Sequence, residues 1–194
     1  MTRDKTSAIT DKEFADSFQS SAKAVNNIIA KDHPADLLPV LQVICRDDFG
    51  TELNTHAFGL ADLPDSSEER QKIFHAIGTM VYSERDKFGA PVAILFTTEA
   101  WTLNKNLSPE AAKLFQESGK RIADHKNKKE VVIVTGRTVD GRKAMAMYDT
   151  VRKGKTIDHI TETLNTFNKG DVDTYLLDNF YKGIYDAAKE EGRF

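Results

Sequence analysis

Apolar residues near the start of the chain fall at Phe14, Phe18, Ala22, Val25 and Ile29, steps of four or three that gather them on one face of a helix. Thr10 and Glu13 make a capping box in front of them, and Ile9 stands where it can staple to Phe14, so the helix is predicted from Asp11. Pro34 and Pro39 then break helicity. Beyond them "VLQVICRD" and "NTHAFGLAD" read as two strands, joined into a hairpin through residues 47–50. Helical spacing returns in Ile73, Phe74, Ile77, Met80 and Val81. Asp65 or Ser66 is the cap, acids fill the first turn, and Gly89 stands just past the end.

"PVAILFTTEAW" is an apolar, β-branched run of the kind found in a central strand covered on both faces. Ser108-Pro109-Glu110 opens a short helix, with Gly119 weakening or ending it. "EVVIVTGRTVDGRKAMAMYDTV" divides into two strands around Asp140-Gly141, a dipeptide that tolerates positive φ. In the next stretch Ile157, Ile160, Leu164 and Phe167 have helical spacing, but the many threonines and isoleucines favour a strand, which is the assignment made here. A closing helix is predicted from about Asp171, with a stripe of Val172, Leu176, Phe180, Ile184 and Ala188.

The order is helix, two strands, helix, strand, short helical excursion, two or three strands, helix. It predicts an α+β fold: a mostly antiparallel sheet of five to six strands with helices packed on it. Residues 10–194 form the single domain, with a flexible tail at 1–9 and a helical, lysine-rich excursion at 104–129. The 194 residues, 40% apolar and 29% charged, suffice for one domain with a real core, and a second independent core is not expected. A lone cysteine, Cys45, excludes an intrachain disulfide and suits a reducing cytoplasm. No apolar run reaches membrane-spanning or signal-peptide length, so no membrane partner is expected.

Charge is unevenly spread. Residues 126–155 hold nine basic and three acidic residues, a local charge of +6, which leaves −9 on the rest of a chain with net charge −3. In an antiparallel meander the entry to one strand and the exit of the next share an end, so Lys126, Lys128 and Lys129 should cluster with Arg152, Lys153 and Lys155. Such a cluster could hold a phosphate backbone or an acidic protein face. It could equally keep strand ends soluble.

Signatures of chemistry are few. Gly154-Lys155-Thr156 invites comparison with a P-loop, but the glycine that motif needs five residues earlier is Asp149, and the chain turns from strand to strand here, so a hairpin is expected. Asp48-Phe49-Gly50 stands alone, without the other kinase motifs, and reads as a turn. Asp32-His33, Asp124-His125 and Asp158-His159 lack chelate spacing. His75 is expected to be partly buried and satisfied, and Cys45 to be a small core hydrophobe. Glu99 and Trp101, two apart on one strand, share a face and could form a recognition spot.

"FTTEAW" followed from Glu130 by "EVVIVTGRTVDGR" resembles a pattern in uncharacterised small proteins of bacteria, archaea and their phages, where a strand ending Glu-Ala-Trp precedes a charged connection and a hairpin. The resemblance implies no activity and no site. The element order is similar to that of roadblock and longin domains, scaffolds that bind other proteins, which is a likeness of fold and not of function.

Three functions are compatible with these features. The first is a non-enzymatic protein-interaction or regulatory module, binding another protein, or a second copy, through a sheet edge or helix face. The second is a nucleic-acid-associated protein using the basic end of the meander, and the third an enzyme with a scattered site, for which Glu99, His56 and His159 are the acid-base candidates. No cofactor or metal is called for.

If Gly154 closes a hairpin, Gly154→Ala costs on the order of 1 kcal/mol and Lys155→Ala almost nothing. ATP with magnesium then leaves the melting temperature of wild type unchanged. A shift of several degrees, lost in Lys155→Ala, would reveal a nucleotide site instead.

Overall fold

A computed structural model of the chain describes residues 8–47, 49–103, 122–167 and 172–193. Its helices are α1 (Asp11–Asp32), α2 (Ser67–Ser83), the single turn α3 (Arg85–Phe88) and α4 (Tyr175–Glu190). Its strands are β1 (Val40–Arg46), β2 (Leu53–Gly59), β3 (Ala90–Leu103), β4 (Lys128–Thr138), β5 (Lys143–Lys153) and β6 (Thr156–Phe167). They form one sheet in the order β2-β1-β3-β4-β5-β6, with every neighbouring pair antiparallel. This is the expected α+β architecture, and residues 156–167 are a strand.

The core of the domain lies in two apolar layers, one on each face of the single sheet. On one, Phe14, Phe18, Ala22, Val25 and Ile29 of α1 pack over inward residues such as Leu95, Val132, Val134, Ala146 and Ile157. On the other, Phe74 and Val81 of α2 and Leu177 and Phe180 of α4 cover Leu41, Val43, Cys45, Ile94 and Phe96. Cys45 is fully buried, and that burial pushes its thiol up to about 12, so it behaves as a small hydrophobe. Residues 92–97 of β3 are buried without interruption, as befits a strand covered on both sides.

Local chemistry sets the ends of these elements. Thr10 Oγ1 accepts from the Glu13 amide at 3.2 Å, and the Glu13 carboxylate accepts from the Thr10 amide at 2.7 Å, the reciprocal capping box. That carboxylate also receives buried Arg46 at 3.0 Å, so the cap ties α1 to the end of β1. The Thr10 hydrogen bond and then the Arg46 guanidinium, against burial, hold the Glu13 carboxyl down at about 2. Between β5 and β6, Gly154 has φ 67° and Lys153 pairs with Thr156, a two-residue turn with glycine at its first central position. The hairpin reading of Lys153-Gly154 therefore holds.

Several details depart from expectation. Only Gly141, and not Asp140, has positive φ. Thr138 and Arg142 pair across a three-residue loop in which Gly141 is the left-handed residue, instead of closing a two-residue turn. The second helix stops at Ser83 and α3 follows it, because Glu84 leaves helical geometry before Gly89 is reached. The last helix begins at Tyr175 and not near Asp171, and its buried residues are Leu177, Phe180, Gly183, Ala187 and Ala188, so Phe180 and Ala188 of the expected stripe are buried while Leu176 and Ile184 are partly so. Ile9 is buried against α1, so the domain takes in a residue of the segment 1–9 expected to be a tail. Within the excursion expected at 104–129, the helix from Ser108 lies outside the described residues, and Lys128 and Lys129 already belong to β4.

α2 and α4 cross at two glycines. A Cβ on Gly78 would sit 2.0 Å from the Phe180 carbonyl oxygen, and one on Gly183 would sit 2.0 Å from that of His75. The backbones touch, which requires both glycines. At the rim of this crossing His75 Nε2 meets Asp186 at 2.9 Å, so His75 is partly buried and satisfied as expected.

Gly78→Ala and Gly183→Ala should each destabilise the fold by about 3 kcal/mol or more, the upper end for overpacking, since backbone and not a pliable side chain must yield. Urea unfolding checks this. A cost below about 1 kcal/mol at both positions would show that the helices can separate freely.

Candidate recognition cleft at the end of the central strand

The site grows out of a mismatch in strand length. β1 has 7 residues and β3 has 14. Pairing between them ends at Val40 and Thr97, whereas β3 stays paired to β4 as far as Leu103 and Lys128. Glu99 and Trp101 therefore stand on an overhang with β4 on one side and no strand of β1 on the other. The connection between α1 and β1 closes the gap, and the Leu37 amide donates to Glu99 Oε1 at 2.9 Å.

The overhang brings the two sequence-predicted sets together. Trp101 pairs across the sheet with Glu130, and Arg152 of β5 reaches over to Glu130 with Nε 2.6 Å from its carboxylate. The same guanidinium lies 3.9 Å from Glu99 and 3.5 Å from Asp36, and it donates to the carbonyls of Ala35 and of Lys155. Asp36, Glu99, Ala100, Trp101, Glu130 and Arg152 line an open cleft of about 470 Å³. Glu99 and Glu130 are mostly buried, while Trp101 keeps 43% of its surface exposed. Lys128 Nζ stands 4.5 Å above the centre of its ring.

Electrostatics follow from burial. Desolvation raises the Glu99 carboxyl above its ordinary value, and nearby Glu130 adds to this against the Leu37 amide and Arg152. Arg152 is held charged by the Glu130 hydrogen bond above all. Three carboxylates thus face one guanidinium beside an aromatic face, chemistry that receives a cation.

The basic end of the meander is neutralised only in part. Arg152 serves Glu130, Lys129 pairs with Asp149, and Lys128 lies on Trp101. Lys126, Lys153 and Lys155 make no ion pair among the described residues. The acid-base trio does not assemble. His56 is on β2 and His159 on β6, opposite edges of the sheet and about 24 Å apart at the usual strand spacing, with His159 turned to Asp158. Among the described residues no group of three or more His, Cys, Asp or Glu side chains could hold a metal, and no helix is long and apolar enough to cross a membrane.

Sequence reasoning found Glu99, Trp101 and Arg152 but missed Asp36 and Glu130. The alternation of Glu130 with Val132 on one strand face was the available signal, since a carboxylate on an inward face needs a partner. Comparison with protein-family models, curated proteins and solved structures gave no match.

Arg152→Met should lower stability by about 2 kcal/mol at neutral pH, less than for a fully buried pair because the guanidinium keeps part of its surface in water. The folded state already binds the Glu99 proton more tightly than the unfolded chain does. Stability from this group thus falls as pH rises above about 4.5, and without Arg152 it falls further. Unfolding at pH 4 and pH 7 checks the sign, since a loss equal at both would mean that Glu99 is not coupled to Arg152.

Proposed function

We propose that the chain is a protein-interaction module that receives a cationic side chain of its partner in the Trp101 cleft. The observation that carries this reading is the Lys128 ammonium 4.5 Å above the Trp101 ring. That face accepts a cation, and the carboxylates of Asp36, Glu99 and Glu130 line the same cleft. A lysine or arginine from another protein would replace Lys128 on the ring and gain the carboxylates as partners. The pairing of Arg152 and Lys129 with acids supports this reading over binding to a phosphate backbone, because a cation already paired releases few counterions.

Trp101 is the chain's one tryptophan, so its fluorescence reports the cleft directly. Short arginine- or lysine-containing peptides should change its emission saturably, and Glu130→Gln should weaken them about tenfold. Lys128→Ala should bind them about two- to fivefold more tightly, because no internal cation then competes for the ring. A response to single-stranded oligonucleotide that falls steeply with salt, with none to the peptides, would overturn the proposal in favour of nucleic-acid binding.

A further inference from the structure

The two edges of the sheet are built differently. β6 carries Asp158 and Glu162, and its pairing with β5 is interrupted by register shifts at Met147/Tyr148 and at Val151/Arg152. Charges and bulges are the devices that keep an edge from pairing with a further strand. β2 has neither. Its sequence, LNTHAFG, contains no charged residue and no proline, and it pairs with β1 in unbroken register from Val40 with Gly59 to Arg46 with Leu53. Asn54, Thr55 and Ala57 are exposed, and among the described residues no strand pairs with its outer side.

β2 is also held still. His56 Nε2 lies 3.2 Å from the Phe88 carbonyl oxygen, and the rings of His56 and Phe58 both meet Phe88 edge-on. An edge fixed in strand geometry loses little freedom when another strand is added.

The charges beside β2 indicate what it takes. Glu52 precedes it and Asp62 and Asp65 follow it, all three exposed. A second copy paired antiparallel about a two-fold axis would bring the acids at one end of β2 against those at the other. A segment with basic ends would meet opposite charge at both. From the open register of β2 and its acidic flanks, we propose that β2 binds an extended segment of another protein, uncharged in the middle and basic at both ends, as a seventh strand. This rests on the reading of the chain as a protein-interaction module but uses a surface separate from the Trp101 cleft.

The test is amide hydrogen exchange of residues 53–59 with a peptide of β2's length, alternating threonine and valine, with lysine at both ends. Exchange at these amides should slow at least tenfold under saturation, and to the same extent in Glu130→Gln, whose Trp101 cleft is impaired. The same peptide N-methylated at alternate residues should give no protection. One with glutamate ends should bind more weakly, and Glu52→Gln with Asp62→Asn should reduce affinity several-fold and flatten its salt dependence. The proposal is overturned by no binding at millimolar peptide, or by equal protection from the N-methylated peptide. Protection of β2 that rises with protein concentration alone would overturn it too, by making a second copy the occupant. If the peptide fails while cationic peptides still perturb Trp101, only the strand-addition proposal falls.

Discussion

The extra length of β3 is the constraint on which the rest of this structure depends. Its first half is buried on both faces and sets the thickness of the molecule, because α1 must cover one side and α2 with α4 the other. Its second half outruns β1, so the sheet has a step instead of a straight margin. A step exposes backbone and side chains that a matched strand would cover. The connection from α1 fills part of it, through Leu37, and the remainder is the Trp101 cleft. Core and candidate site are thus two ends of one strand.

Charge in this protein acts over single contacts more than over patches. The segment 126–155 carries an excess of cations, yet Glu130 and Asp149 inside it and Asp36 and Glu99 outside it engage Arg152 and Lys129. A half-buried guanidinium needs partners to offset its lost hydration, and Glu130 of the adjacent strand and Glu99 two strands away supply them. The outcome is a cleft with more carboxylates than cations at the end of a hairpin rich in lysine.

Much of the fold was legible because it is written in short-range chemistry. The Thr10–Glu13 box, the Ser66 cap and the turn at Gly154 each involve residues within four positions of one another, and the β-branched run of β3 is one unbroken stretch of chain. The β6 assignment required weighing two periodicities, and composition decided it. What escaped was long-range. Gly78 and Gly183 look like weak points in two helices until the helices are brought together, although glycine inside a helical pattern is itself a signal of close packing. The buried face of α4 is broader than one stripe, adding Leu177, Gly183 and Ala187 to the expected Phe180 and Ala188, because the helix meets both the sheet and α2. Glu99 and Trp101 could be picked out by their shared face, but Asp36 joins them only through the strand overhang.

The glycine crossing also bears on how the chain comes into being. α2 precedes α4 by about ninety residues, so on the ribosome the apolar side of α2, with Phe74 and Val81, can pack on the emerging sheet but lacks its α4 cover until Tyr175–Glu190 leave the exit tunnel. The sheet can pair strand by strand as it emerges, but that face stays open throughout. Emergence of α4, and not completion of the sheet, is then the event that commits the nascent chain to its native form, and a chain cut short before residue 175 would present the face of β3 beneath α4 to whatever chaperone or aggregate it meets first.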